Sequence, residues 1–301
     1  MGEVLERILL GQEGFLGRYT FLLTLESETA VLPPWTGRTS KSVALKLKCL
    51  ESIKREYLEV DRFKRVTFTV LHHPRRGPLY VTGQGSLGPL VLSQGETVIM
   101  RVGFYTPSSI PLPCVLEEVD IGYARFIVEP VEAEFHSLRR INERPLRKLK
   151  LRVLTPMTLT TKILAPDLPE GHPLLERLRR APERYRLLPT PGYLVAQLAR
   201  QWLEIVVSQP ARSGMAKFLG RLADALIAEN SYSIRPVTAV YGKDEQGRMR
   251  RVRGVVGVME LEVLDDWLGT LLRPLLLLGQ TLGVGKSRSI GFGEVLVEEI
   301  G

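Results

Sequence analysis

The chain has 301 residues, of which 44% are hydrophobic and 25% charged. This composition is typical of globular proteins, and the length suffices for two ordinary domains. No run approaches the roughly 18 apolar residues of a membrane span, and Glu3 and Glu6 stand where a secretory signal carries basic residues, so we expect a cytoplasmic protein without membrane contact. The net charge of +8 favours a polyanionic partner, because neutralised phosphates release condensed counterions.

Four segments of the first half have strand character, since they are β-branched or alternating and are bounded by Gly and Pro. They are residues 16–25, 66–71, 98–105 and 123–134. Between the first two, Ser40 fits an N-cap after the breaker Pro33-Pro34, and apolar residues recur at helical spacing up to Tyr57. This pattern predicts a helix over 40–57. The second helix of the half is the weakest part of the pattern.

The second half repeats the order more clearly. Strands are predicted over 149–159, 234–241, 252–263 and 294–298, with a hairpin loop at 242–251. Helices are predicted over 191–207 and, after the N-cap Asp265, over 265–278, with an additional helical insert near 215–228. The order β-α-β-β-α-β is that of a ferredoxin-like domain. We therefore predict an α+β protein of two tandem ferredoxin-like (RRM-like) domains, residues 1–146 and 147–301, with the boundary in 142–146.

Cysteine and histidine do not form a metal-binding pattern. Cys49 and Cys114 lie far apart and outside any CxxC motif, so we expect neither a disulfide scaffold nor a cysteine-type zinc site. Only His72 and His73 of the four histidines are neighbours, and no carboxylate stands at metal-ligand spacing beside them. The sequence predicts no metal and no cofactor.

The most informative segment is the glycine-rich loop GQTLGVGKSRSIGFG at 279–293. Its GKS triplet resembles a P-loop, but Gln280 stands where the first P-loop glycine belongs, and a helix rather than a strand precedes it. Nucleotide binding is therefore not expected. The glycines would let backbone amides approach phosphate, and Lys286 and Arg288 would add charge-assisted hydrogen bonds. The alternative is a tight connection whose charges face water.

A second basic segment lies at the predicted hairpin, where Arg248, Arg250, Arg251 and Arg253 fall within six residues. Cations so close repel one another, so an anionic partner is a natural explanation, and a solvated loop is the alternative. Residues 253–258 carry aliphatic side chains where an RRM stacks bases on aromatic ones. We therefore expect binding at the loops rather than on the sheet face.

These segments carry a family resemblance. Residues 283–294, GVGKSRSIGFGE, resemble the terminal glycine motif of the CRISPR-associated RAMP endoribonucleases that process precursor CRISPR RNA, and 253–262 and 154–159 resemble other segments of their C-terminal domain. The likeness covers 149–301 and is strongest to the archaeal branch. It implies tandem ferredoxin-like domains, binding of the CRISPR repeat RNA, and metal-independent cleavage that leaves a 2′,3′-cyclic phosphate and a 5′-hydroxyl. It also implies a homodimer and transfer of the product to a CRISPR effector complex.

Many relatives resemble one another in placing a histidine near the first helix, whereas this sequence has none between Leu25 and Val66. Clustered lysine and arginine are the remaining candidates. Lys46 falls in the apolar arc of the predicted helix, where it either snorkels to water or points into an interdomain cleft that would favour its neutral, basic form. We predict catalytic roles for Lys46, Lys64, Arg250 and Lys286. We predict RNA contacts for Lys41, Arg65, Arg251, Arg253, Gly283, Gly285 and Arg288.

Two other functions compete with an endoribonuclease. The first is a non-catalytic RNA-binding RAMP subunit of an effector complex, which the missing histidine favours. The second is a protein-binding scaffold with an incidental basic surface, which would show no RNA affinity at moderate salt.

Overall fold

The structure is a computed structural model, which describes residues 2–59, 64–83, 88–107, 110, 113–141, 144–165, 168–182, 184–208, 213–243 and 245–300. The elements of the first half are α1 (Gly2–Leu9), β1 (Phe15–Leu25), β2 (Thr29–Leu32), α2 (Gly37–Ala44), α3 (Glu51–Glu59), β3 (Val66–Phe68), β4 (His72–His73), β5 (Gly77–Pro78), β6 (Leu90–Ser93), β7 (Thr97–Thr106), β8 (Glu117–Asp120) and β9 (Arg125–Ser137).

The second half begins after a short helical turn and the polar stretch that follows it. Its elements are β10 (Lys148–Met157), β11 (Leu159–Thr160), α4 (Pro173–Arg180), β12 (Tyr185–Arg186), α5 (Pro191–Ile205), α6 (Ser213–Leu226), β13 (Ile227–Lys243), β14 (Met249–Val263), α7 (Asp266–Leu282) and β15 (Val295–Glu299). No helix in the described part of the chain combines the length and the apolar run that a bilayer crossing requires.

Each half contains a sheet with the same strand order. The first sheet runs β5-β4-β7-β1-β9-β8, with β3 also paired to β7, and the second runs β13-β14-β10-β15. If β3 and β4 are taken as one interrupted strand, the main strands of both halves lie in the order second, third, first, fourth. This is the ferredoxin-like arrangement, so the predicted fold is confirmed. In the first half the described residues between β7 and β9 form the strand β8 and no helix.

The predicted helix over 40–57 is wrong in its middle. Helix α2 ends at Ala44, Leu47 is extended, and a short turn leads into α3. The amide of Lys48 donates to the carboxylate of Glu117 (3.2 Å). Tertiary contacts therefore override the helical periodicity, as they commonly do.

The expectation that the two cysteines stay unbonded is also wrong, because Cys49 and Cys114 form a disulfide across 65 residues. The disulfide lies at the interruption between α2 and α3 and links this part of the chain covalently to the segment before β8. Sequence separation does not decide whether two cysteines meet in space.

Three groups of buried apolar residues organise the interior. One fills the first half, one fills the second, and a smaller one between them consists of Trp35, Val70, Ala239 and Phe292. Helix α1 belongs to the second group: the indole of Trp202 donates to the carbonyl of Ile8 (2.9 Å). The boundary at 142–146 stays a prediction, since residues 142–143 lie outside the described part.

Candidate functional site

The glycine-rich loop between α7 and β15 lies against the end of β10. A Cβ atom at Gly285, where φ is +95°, would stand 2.3 Å from the carbonyl oxygen of Thr158, so only glycine allows this approach. The Gly285 amide donates to Oε1 of Gln201 (3.0 Å) and the Lys286 amide to Oγ1 of Thr158 (3.1 Å). These amides are used within the protein, which differs from the expectation that the Gly285 amide faces a phosphate; RNA contacts by Gly283 and Gly285 stay predictions.

The loop then makes a tight turn at its exposed end. Lys286 and Ser287 are exposed, Ser287 is left-handed with φ at +57°, and one turn of helix follows over Arg288–Ile290. Lys286 is therefore the cation that the loop presents at the surface.

The start of α2, which belongs to the first half, packs against this turn of the glycine loop. The indole of Trp35 donates to the carbonyl of Ile290 (2.6 Å) and stacks on the ring of Phe292, with 3.8 Å between centroids. A Cβ atom at Gly37 would stand 1.9 Å from the same Ile290 oxygen. The backbone of the α2 N-terminus therefore rests directly on the glycine loop.

On its other side the first turn of α2 meets the basic hairpin. Arg38 is exposed, and its Nη2 would lie 2.7 Å from a Cβ atom at Gly242, the strand partner of Arg250. Lys41 follows Arg38 one turn later on the helix. The contacts thus place the first turn of α2 between the glycine loop and the hairpin tip.

The arginines of β14 divide between its two faces. Val252 packs with Trp35 in the interdomain group. Since side chains alternate along a strand, Arg250 shares the face of Val252, whereas Arg251 and Arg253 stand on the other. All three arginines are exposed. Arg250 is therefore the hairpin cation on the side of α2.

The two lysines that we predicted as bases lie apart from one another. Lys46 is exposed at the opposite end of α2 from Arg38, and its ammonium donates to the carbonyl of Asp120. Of the two placements that the sequence left open for Lys46, contact with water or a desolvated cleft, the structure shows the first. Lys64 is half-buried, and its carbonyl accepts from Nη2 of Arg288 (2.8 Å). Their catalytic roles stay predictions.

Two cations predicted to bind RNA make contacts within the protein. Nη2 of Arg65 donates to Oγ of Ser208 (2.7 Å), and its guanidinium lies 5.6 Å from the centroid of the Tyr105 ring. The guanidinium of Arg288 is buried, and this burial lowers its pKa to about 10 although Glu204 opposes the change. Both residues join the halves of the molecule, and RNA contacts by either stay predictions.

The histidines His72, His73 and His172 each have a hydrogen-bond partner within the protein. Nε2 of His72 is 2.7 Å from Oε2 of the buried Glu294. His73 accepts backbone amides in the next turn and pairs with Glu96 (3.3 Å), and His172 caps α4. No group of three or more His, Cys, Asp or Glu side chains suited to a metal ion occurs in the ranges that the structure covers.

Sequence reasoning missed Arg38 and Trp35. Because we placed the helix start at Ser40, Arg38 fell into the preceding loop, whereas α2 begins at Gly37. A signal was present, because the positive end of the helix dipole repels a cation in the first turn of a helix. A cation at that position is consistent with an anion nearby. Trp35 carried no such signal, since its partner Phe292 is remote in sequence.

Comparison with known proteins identifies relatives of the whole chain. The family model of the CRISPR-associated endoribonuclease Cas6 matches residues 151–295. The CRISPR-associated endoribonucleases Cas6 1 and Cas6 2 of Saccharolobus solfataricus are 28% and 26% identical, over 91% and 90% of this chain and 93% and 92% of theirs.

Solved structures show the same fold. A Cas6 product complex superposes with a TM-score of 0.57 at 17% identity, over 93% of this chain and 100% of that one. Thermus thermophilus Cas6 gives 0.55 at 15% identity, over 95% and 99%. A Cas6-related protein of Pyrococcus furiosus gives 0.52 at 12% identity, over 96% and 100%. The family match over residues 151–295 and the similarity to the two Saccharolobus proteins over most of the chain support a CRISPR-associated Cas6 endoribonuclease, and the solved structures show that the fold is shared.

Proposed function

We propose that the chain binds CRISPR repeat RNA and cuts it without a metal ion. In this reaction a ribose 2′-oxygen bonds to the adjacent phosphorus while the bond from phosphorus to the 5′-oxygen breaks. The 2′-hydroxyl proton passes to a base, and the departing 5′-oxygen takes up a proton. The products are a 2′,3′-cyclic phosphate and a 5′-hydroxyl.

The observation that carries this proposal is the position of the first turn of α2 between the hairpin tip and the glycine loop. Gly37 rests on the carbonyl of Ile290, and Arg38 lies against Gly242. Three segments that are remote in sequence thus meet at the first turn of α2, and each of them carries exposed or half-buried cations. Such a cluster is suited to a ribose-phosphate chain, whose charge is evenly spaced.

Each cation has a role that follows from its position. We propose that Arg250 and Lys286 stabilise the phosphorane or the leaving oxygen, because fixed positive charge is most effective where negative charge develops. Arginine does not lose its proton in proteins, so Arg250 cannot be the base. Arg38, Lys41, Arg251 and Arg253 would hold the backbone, and Arg38 is an addition to the set inferred from sequence.

The base is proposed among Lys64 and Lys46. The half-buried Lys64 lies against the turn that carries Arg288, whereas Lys46 is exposed and held by the carbonyl of Asp120. The position of Lys64 beside the glycine loop supports it over Lys46, the reverse of their order in the sequence argument.

The test is single-turnover cleavage of the cognate repeat RNA with and without EDTA, followed by analysis of the product ends. We expect equal rates, a cyclic phosphate and a 5′-hydroxyl. Loss of activity in EDTA would contradict the metal-independent mechanism. Tight binding without any product would instead support a non-catalytic RNA-binding subunit, and no affinity at moderate salt would support a protein scaffold.

Two further expectations concern partners. The homodimer and the transfer of product to an effector complex remain predictions. Sedimentation of the free protein, and of the protein with product RNA, would check the first.

A further inference from the structure

A small cavity lies between the two halves, beneath the glycine loop. Its volume is about 20 Å³, and one water-sized particle needs roughly 10–15 Å³. Its lining includes Arg18, Thr67, Arg101, Arg288 and Glu294. Residues of the first sheet and of the glycine loop thus share one small, partly open space in which charged side chains lie beside apolar ones.

Two of these arginines each bring an N–H group that no protein atom accepts. In the part of the chain that the structure covers, Nε of Arg18 and Nη1 of Arg288 are buried and without a hydrogen-bond partner. Each guanidinium is anchored through another nitrogen: Nη2 of Arg18 pairs with Glu134 (2.7 Å), and Nη2 of Arg288 donates to the carbonyl of Lys64 (2.8 Å). Buried donors on charged groups are expensive to leave unmet, so an acceptor is expected here.

The charges around the cavity leave an excess of one cation. Four guanidinium groups, those of Arg18, Arg101, Arg288 and the neighbouring Arg200, stand beside three carboxylates, those of Glu134, Glu294 and Glu204, where Glu204 is paired with Arg200 (2.8 Å) and also acts on Arg288. The neighbouring His72 is paired with Glu294 and adds no carboxylate. Burial lowers the pKa of Arg288 to about 10, and the charge of Glu204 opposes this change only in part. A monovalent anion would complete the balance.

We propose that this cavity binds a single halide ion, held by Nε of Arg18 and Nη1 of Arg288. The cavity is too small for a phosphodiester with its two riboses, so this site is separate from the RNA groove and goes beyond the proposed function. Because Arg18 belongs to β1 and Arg288 to the glycine loop, the ion would join the two halves. Chloride is the halide that cells supply.

The experiment measures thermal unfolding of the full RNA-free chain in sodium chloride, sodium bromide and sodium gluconate at constant ionic strength. We expect Tm to rise with chloride and bromide and to level off as one site fills, by about 3 °C at tenfold excess over Kd. Gluconate is too large to enter and should give no such rise. Arg18→Met and Arg288→Met should each remove the halide effect, and the matched control Arg152→Met, which removes an exposed surface cation, should keep it.

Crystals soaked in bromide provide a measurement that does not depend on the variants folding. The proposal expects an anomalous peak in the cavity within hydrogen-bonding reach of both arginines. Equal Tm in chloride and gluconate, a halide effect that persists in Arg18→Met or Arg288→Met, or a cavity that holds water without an anomalous peak would each overturn it.

Discussion

The indole of Trp35 stacks on the ring of Phe292 with 3.8 Å between centroids and 9° between planes, and it joins the start of α2 to the glycine loop. The two residues come from different halves of the chain, and both are fully buried. This pair holds the first turn of α2 in register with the loop. The proposed RNA groove therefore depends on a contact that itself touches no RNA.

The stack predicts an energetic coupling between the two rings. In a double-mutant cycle, Trp35→Ala and Phe292→Ala should show a coupling energy of about 1 kcal/mol. Urea unfolding of the four proteins measures it. The control cycle pairs Phe292→Ala with Trp267→Ala, whose indole bonds Glu6 on α1, and it should be additive. Equal coupling in both cycles would contradict a specific contact.

Arg250 and Lys286 are predicted to act on the reaction more than on binding. Arg250→Ala and Lys286→Ala should each lower the single-turnover cleavage rate by about 100-fold at saturating RNA, because each removes a charge that stabilises the phosphorane. Arg251→Ala is the matched control on the other face of β14, and it should weaken binding while keeping the saturated rate. If all three variants lose rate and affinity equally, the catalytic assignment fails.

Arg38 is predicted to contact the RNA backbone. Arg38→Ala should weaken repeat binding by about tenfold at moderate salt and reduce the slope of log K against log salt by about 1. Arg152→Ala serves as control, since that cation is already paired with Glu298 (3.0 Å). An unchanged salt slope in Arg38→Ala would remove Arg38 from the interface.

Position 285 is predicted to require glycine for two reasons, its positive φ angle and its close packing against Thr158. Gly285→Ala should lower the free energy of unfolding by about 2 to 4 kcal/mol, because the new Cβ meets the carbonyl of Thr158. Gly247→Ala has a similar positive φ with nothing within 4 Å and should cost only about 1 kcal/mol. Equal losses in the two variants would show that the contact with Thr158 adds nothing.

Reduction of the Cys49–Cys114 disulfide is predicted to lower the free energy of unfolding by about 3 to 4 kcal/mol, since the bond closes a long loop. Denaturant unfolding with and without a thiol reductant measures the change. The Cys49→Ala/Cys114→Ala variant should be insensitive to reductant. A wild-type protein whose midpoint ignores the reductant would contradict the prediction.

The sequence predicted the second half well because its signals are local. Pro191 opens α5, Asp265 caps α7 by accepting the amide of Leu268 (2.7 Å), and polar residues separate β13 from β14. Capping, periodicity and turn chemistry each depend on neighbouring residues only. The same signals sufficed to identify the glycine loop and the basic hairpin.

The rest depends on contacts between remote residues. The interruption after α2 follows from Glu117 and from the bond to Cys114, neither of which periodicity along 40–57 can reveal. The sequence predicted that Arg288 is a cation of the glycine loop that contacts RNA, yet its guanidinium is buried between the halves. The exposure of such a side chain depends on its contacts with the other half of the chain. The sequence of a single strand or loop does not contain that information.

Helix α1 has a consequence for how far the two halves can be separated. It belongs to the first half by sequence, but Leu5 and Leu9 pack in the core of the second half, and the helix is bonded to Trp202 on α5 and Trp267 on α7. A fragment cut at the predicted boundary would therefore expose the apolar face of α1 and leave a gap in the other core. The two halves share one interior and are not interchangeable modules.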